Sequence, residues 1–109
     1  MAYKIFETEL ALQDLDSILS YIALTLNNPS AASSFADEVE KCYSSLEEMP
    51  LMFELCHDPR LHALGYHKAA IKNYVMVYKV DEAAKVVNVM RFFYGGQVFR
   101  IKIQHSAKM

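Results

Sequence analysis

Residues 73–94, which read NYVMVYKVDEAAKVVNVMRFFY, carry the strongest structural signal in the chain. Apolar and aromatic side chains fill both ends of this stretch, and Val, Tyr and Phe favour a pleated, half-buried strand. We therefore predict strands near Asn73 to Val80 and Val86 to Tyr94. The connection between them, Asp81 to Lys85, is too short for a crossover, so the two strands are antiparallel neighbours.

The residues on either side of this stretch extend the predicted sheet. Gly65 to Ile71 reads as another strand, and the Lys72-Asn73 turn makes it an antiparallel neighbour of the strand that follows. Tyr3 to Glu7 alternates weakly and reads as a short opening strand. Leu51 to Leu64 is a polar connection, and Val98 to Ile103 is either a last strand or a short helix.

Two amphipathic helices are predicted between the opening strand and the sheet. Thr8 is a suitable N-cap for the first, and Asn28 followed by Pro29 is a suitable start for the second, which Pro50 ends. The first helix has apolar residues at three- and four-residue spacing, at Leu12, Leu15, Ile18, Leu19, Ile22 and Leu26. The second has a similar stripe, at Ala32, Phe35, Val39, Cys42, Leu46 and Met49. The fold class is thus α+β: one domain, residues 1–109, with a helical hairpin on one face of a three- or four-stranded antiparallel sheet.

Both faces of the predicted sheet are apolar. In Asn73 to Val80, alternation places Tyr74, Met76, Tyr78 and Val80 on one face and Val75 and Val77 on the other. In Val86 to Tyr94, it places Met90, Phe92 and Tyr94 on one face and Val87, Val89 and Phe93 on the other. Two helices can cover only one face of such a sheet, so we expect another segment or a partner to cover the second face.

Charge is unevenly distributed along the chain. The net charge of −2 combines two opposite halves. Residues 1–58 have two basic and eleven acidic side chains, a net −9, and residues 59–109 have nine basic and two acidic side chains, a net +7. This asymmetry favours a nucleic-acid or acidic-protein partner for the second half.

Several protein classes are disfavoured by the sequence. Cys42 and Cys56 form no Cys-x-x-Cys motif, the N-terminus has no apolar region typical of a secretory signal, and no stretch approaches the ~20 apolar residues of a membrane span. We therefore expect a soluble cytoplasmic protein without a membrane partner. His57, His62 and His67 recur every five residues, which suits no metal site, and we predict neither metal nor cofactor.

Several short motifs share their order and spacing with a known family. In chain order they are Ala11 with Asp14-Leu15, Tyr21-Ile22, Leu26 to Ala32, Leu46 to Pro50, Gly65-Tyr66, Asn73 to Asp81 and Arg91 to Gly95. Over nearly the full length, the chain resembles the RelE/ParE superfamily of toxins from bacterial type II toxin–antitoxin systems, also called plasmid stabilisation proteins. The resemblance implies a growth-inhibiting toxin that a small cognate antitoxin silences, as a hetero-oligomer with the antitoxin or as a homodimer.

The same resemblance implies two alternative activities. Some members are metal-independent, ribosome-dependent endoribonucleases that cleave mRNA, and others poison DNA gyrase through protein contacts. Ribonuclease members commonly carry an arginine where this chain has Val75. Many family members also have Gly-Tyr-Arg where this chain has Gly65-Tyr66-His67, and Gly-Arg-Arg-Asp where it has Gly95-Gly96-Gln97-Val98. These departures favour a ParE-like toxin over a nuclease. A toxin-derived binding module without activity is a further alternative.

Three residues are candidates for catalysis: His67, Arg91 and Tyr94. His67 is either a general base, because histidine exchanges protons near neutral pH, or a half-buried strand residue. Tyr94 is either a proton donor at the sheet edge or a packing residue. Arg91 binds either a phosphate or an acid of the helices or the antitoxin.

A second set of residues is a candidate for binding the target or a nucleic acid. The set consists of the basic side chains Lys68, Lys72, Arg91 and Arg100. Arg60, Lys68 and Lys72 could form a nucleic-acid patch, but they lack the density of a basic stripe, and a solvated sheet edge explains them adequately.

Overall fold

The computed structural model describes residues 2–95. In chain order its elements are β1 (Lys4–Glu7), α1 (Glu9–Ser20), a π-helical turn (Tyr21–Thr25), α2 (Pro29–Glu48), α3 (Pro59–Ala63), β2 (Tyr66–Ile71), β3 (Tyr74–Asp81) and β4 (Val86–Tyr94). The strands form one sheet in the order β1-β4-β3-β2. The predicted α+β architecture is confirmed, and the segment Val98 to Ile103 lies outside the described residues.

The sheet is mixed and not purely antiparallel. The hairpins β2–β3 and β3–β4 are antiparallel, as their short connections predict. β1 instead runs parallel to β4, with Lys4 opposite Val86 and Glu7 opposite Val89. No tight turn joins β1 to β4, because the chain passes from β1 into α1, so connection length does not impose an antiparallel pairing.

The N-terminal caps of both long helices follow the sequence prediction. The Thr8 hydroxyl accepts a hydrogen bond from the Ala11 amide at 3.1 Å, and the Asn28 side chain accepts one from the Ala31 amide at 3.1 Å. These bonds satisfy amides that the helix itself leaves unpaired. Within residues 2–95, no helix is both long enough and apolar enough to cross a bilayer.

The first predicted helix does not continue as an α-helix to Leu26. From Tyr21 it widens into the π-helical turn, in which the Leu26 amide donates to the Tyr21 carbonyl at 2.9 Å. Asn27 then takes a positive φ of 52° before α2 begins. This widening moves Leu26 out of the predicted buried stripe, and its side chain is 54% exposed. Leu12, at the other end of the stripe, is also exposed.

The prediction that Val87 and Val89 lie on the opposite face of β4 from Phe92 is wrong. The β3–β4 register shifts between Val77, which lies opposite Arg91, and Tyr78, which lies opposite Val89. Met90 is therefore an extra residue, a β-bulge that reverses the alternation along β4. Its effect is that Val87, Val89 and Phe92 all lie in the main core against the helices.

The second face of the sheet is partly covered by the chain itself. Cys56 and Leu61 form a second buried cluster with Val77 and Phe93. The segment around α3 therefore covers part of the face that the two long helices leave open. The Asp58 carboxylate caps α3 by accepting from the amides of residues 60 and 61 at 3.0 and 3.2 Å. The prediction of an entirely irregular connection at 51–64 missed this helix, whose signal is Asp58 followed by Pro59.

Candidate binding site

A concave pocket of about 580 Å³ opens at the end of the sheet where β2 turns into β3 and where β4 ends. A volume of this order is typical of sites that hold a ligand or a partner's side chain. Its wall is mainly aromatic and apolar, with one cationic residue. We call it the tyrosine pocket and define it by Tyr21, Leu26, Phe35, Lys72, Tyr74 and Tyr94.

Four elements bring the aromatic rings together. Tyr74 is the first residue of β3 and lies opposite Tyr94, the last residue of β4. Phe35 reaches the pocket from α2, with its ring 5.1 Å from that of Tyr74, and the rings of Tyr74 and Tyr94 lie 5.6 Å apart at 80°. Tyr21 comes from the start of the π-helical turn. The Tyr74–Tyr94 pair is edge-to-face and the Phe35–Tyr74 pair is tilted, so aromatic packing holds the wall on both sides of Tyr74.

The backbone at this end of the sheet is tightly fixed. Lys72 takes a positive φ of 57° in the β2–β3 turn, and the Gly95 amide donates to the Asn73 carbonyl at 2.8 Å. A Cβ on Gly95 would lie only 3.1 Å from that same carbonyl oxygen. The close approach therefore favours glycine at 95 and fixes the position of Tyr94 beside the turn.

The polar side chains that line the pocket are the phenols of three tyrosines, the Lys72 ammonium and the Asn73 amide. Burial raises the pKa of Tyr74, and the neighbouring phenols of Tyr21 and Tyr94 add smaller contributions in the same direction. Within residues 2–95, the hydroxyls of these three tyrosines make no hydrogen bond to the protein. The pocket can therefore enclose an apolar group while hydroxyls and the Lys72 ammonium remain available as donors.

Arg91, predicted as both a catalytic and a binding residue, forms an ion pair with Asp14 of α1. Its Nε donates to Asp14 Oδ2 at 2.6 Å, and its Nη2 donates to Oδ1 at 3.1 Å. The same carboxylate accepts the Phe92 amide at 3.1 Å. β1 ends opposite Val89, so Asp14 satisfies a strand amide that β1 does not reach. The alternative reading, a salt bridge to an acid of the helical hairpin, is confirmed.

His67 lies on β2, on the helix side of the sheet. Its ring stacks on that of Tyr78, with centroids 5.0 Å apart and planes 15° apart. Its Nδ1 lies 2.9 Å from the Phe53 carbonyl oxygen, which can only accept, so Nδ1 carries the proton of this bond. These contacts connect the strand to the segment that precedes α3 and give His67 a structural role.

The basic candidates Lys68 and Lys72 do not form a patch. Lys68 follows His67 on β2 and so points to the opposite face, opposite Val77 in β3. Its backbone amide donates to the Glu54 carbonyl at 3.1 Å, along an edge of the sheet that residues 54–56 cover. Lys72 lies in the turn beside the tyrosine pocket. Arg100 lies outside the described residues.

The three catalytic candidates are not brought together. His67 pairs with Tyr78 and Tyr94 pairs with Tyr74, on opposite sides of β3, so they lie about 13 Å apart along the strand direction alone. Arg91 lies on β4 beside α1, beyond the residues of β4 that pair with β1. The structure instead brings two predicted residues, Lys72 and Tyr94, into one pocket. The other side chains of that pocket, Tyr21, Phe35 and Tyr74, were not predicted as site residues. The sequence had only one weak sign of this, aromatic residues at the ends of adjacent strands.

Comparison with known families decides what kind of protein carries this fold. Residues 5–99 match the family model described as the ParE toxin of the type II toxin–antitoxin system parDE. The chain belongs to the ParE toxin family. As a ParE-family protein it is the toxin component of a type II toxin–antitoxin system, and its membership in the RelE/ParE superfamily confirms the resemblance found in the sequence. No curated protein matches the chain with significant similarity.

Solved structures show that this ParE-family chain has the RelE/ParE fold. A chromosomal ParDE system from P. aeruginosa is similar at a TM-score of 0.65 and 15% identity, over 85% of this chain and 96% of that chain. The intact E. coli RelBE toxin–antitoxin complex is similar at a TM-score of 0.61 and 19% identity, over 88% of this chain and 100% of that chain. A double arginine-to-alanine mutant of free E. coli RelE gives a TM-score of 0.62 at 20% identity, over 88% and 86%.

Proposed function

We propose that this toxin inhibits growth in the bacterial cytoplasm by binding a protein target of the DNA gyrase type, and that a cognate antitoxin silences it. The observation that carries the proposal is the dispersal of the catalytic candidates together with the pairing of Arg91 to Asp14. The match to the ParE toxin model supports the gyrase-type target over the ribosome. Toxin–antitoxin complexes among the similar structures support the antitoxin partner.

Metal-independent cleavage of RNA places strict demands on a site. A base must reach the 2′-hydroxyl within hydrogen-bond distance, and cations must contact the phosphate as charge develops on it. Among the described residues, the Nδ1 of His67 is hydrogen-bonded to the Phe53 carbonyl, and the Arg91 side chain is only 17% exposed beside its carboxylate partner. This arrangement favours recognition of a protein surface over chemistry on RNA.

Growth arrest on induction tests the proposal. We expect arrest when the chain is expressed alone, relief when the adjacent small gene is co-expressed, and a stop in DNA replication before translation. Lys41→Ala is a control that should arrest growth as the unmodified chain does, since within residues 2–95 this exposed lysine of α2 forms one ion pair, with Glu38 at 3.4 Å. Codon-positioned mRNA cleavage on purified ribosomes would overturn the proposal in favour of the ribonuclease alternative.

A binding module without toxicity is the second candidate, and the same dispersed residues favour it. It predicts normal growth on induction together with stable binding to the product of the adjacent gene. Growth arrest by the chain alone would exclude it.

A further inference from the structure

The tyrosine pocket extends onto an exposed apolar surface of the protein. Its apolar wall continues onto the surface, where the side chains of Tyr21, Leu26 and Tyr94 are 49%, 54% and 53% exposed. An exposed apolar surface around a concave site is typical of a protein interface, because a small molecule would leave its outer part in water.

The electrostatics of the pocket favour an anionic group. Lys72 lines it, and the described residues that line it include no carboxylate. Ala31, in the first turn of the 20-residue helix α2, also lines the pocket, so the positive N-terminal end of that helix lies close to the same space. The hydroxyls of Tyr21, Tyr74 and Tyr94 can all donate to an acceptor there.

We propose that the tyrosine pocket is an anchor site for the antitoxin: it receives one apolar side chain, with a neighbouring Asp or Glu carboxylate of the antitoxin placed at Lys72. This inference rests on the proposed function, since it assigns a surface to the partner that silences the toxin. The apolar side chain fills the space beside Phe35 and Tyr74, and the carboxylate accepts hydrogen bonds from the ammonium and the phenols. The pocket thereby selects antitoxins by shape and by charge.

The test measures binding of the adjacent gene's product to the purified toxin by titration calorimetry. Tyr94→Ala removes part of the wall, and Lys72→Glu reverses the charge without touching the core. Leu24→Ser and Lys41→Glu are the matched controls, because Leu24 is 78% exposed and neither residue lines the pocket. Circular dichroism and an unfolding midpoint establish that each variant is folded.

We expect Tyr94→Ala and Lys72→Glu each to weaken binding more than 10-fold, and the controls to change it less than twofold. An Asp→Lys or Glu→Lys change in the antitoxin restores its affinity for the Lys72→Glu toxin. The same change weakens its binding to the unmodified toxin. Equal binding by pocket and control variants, with the unmodified toxin still bound tightly, overturns the anchor site and leaves the proposed function intact. Failure of the unmodified toxin to bind overturns both. A toxin dimer that Tyr94→Ala dissociates in the absence of antitoxin also contradicts the assignment, because a second copy then occupies the pocket.

Discussion

The ion pair between Asp14 and Arg91 makes the strongest stability prediction. Its carboxylate accepts two hydrogen bonds from the guanidinium and one from the Phe92 amide, at 2.6 to 3.1 Å. The two side chains are only 17% and 18% exposed, so Asp14→Ala leaves a mostly buried cation and an unpaired amide. Removing one partner of a buried pair costs roughly 3–5 kcal/mol. The residual exposure places the expected loss near the lower end, about 3 kcal/mol.

Urea denaturation followed by circular dichroism measures this loss as a change in the free energy of unfolding. Asp14→Asn keeps an oxygen acceptor for the Phe92 amide, so we expect it to cost less, about 1–2 kcal/mol. Asp16→Ala is the matched control, an exposed acid on the same helix, and should change stability by no more than about 0.5 kcal/mol. If Asp14→Ala costs no more than Asp16→Ala, the pair is not the structural contact described here, and Arg91 becomes available for phosphate binding.

Three further predictions concern single contacts. Burial raises the pKa of Tyr78 to about 12, so the unfolded phenol ionises first as pH rises above ~10, and alkaline titration of stability should show a loss of up to ~1.4 kcal/mol per pH unit between these values. Tyr78→Phe should reduce that loss without abolishing it, because burial also raises the pKa of Tyr43. It should cost about 1 kcal/mol at pH 7 by removing the bond to the Pro50 carbonyl at 3.1 Å, and an unchanged alkaline slope would contradict the assignment. Gly95→Ala should lower the thermal midpoint, because its Cβ meets the Asn73 carbonyl oxygen at 3.1 Å, and an unchanged midpoint would show that the turn relaxes freely. Asp58→Ala should cost about 1 kcal/mol in urea denaturation through loss of the α3 cap, whereas no loss would mean that tertiary packing alone holds α3.

Local signals in the sequence were sufficient for most of the fold. Thr8 and Asn28 cap the long helices because short polar side chains can reach free helix amides, a rule that acts within four residues. The hairpins follow from the shortness of their turns. Where the prediction failed, the cause was not local: the bulge at Met90 comes from how β4 meets both β3 and α1, and strict alternation cannot anticipate it.

The candidate site was harder to predict from the sequence than the fold was. Lys72 and Tyr94 were selected as candidates, but their common pocket depends on the β3–β4 register and on the π-helical turn that positions Tyr21. Arg91 shows the opposite case. A lone arginine in an apolar strand suggested either phosphate binding or a salt bridge to an acid, and only the packing of α1 against β4 shows that the acid is Asp14. A pairing across 77 positions of sequence has no local signature.

The most direct test of the proposed function is a DNA gyrase supercoiling assay with the purified toxin. We expect relaxed plasmid to remain unsupercoiled as toxin is added, and supercoiling to recover when the adjacent gene's product is present in excess. Unimpaired supercoiling at toxin concentrations that arrest growth would contradict a gyrase-type target.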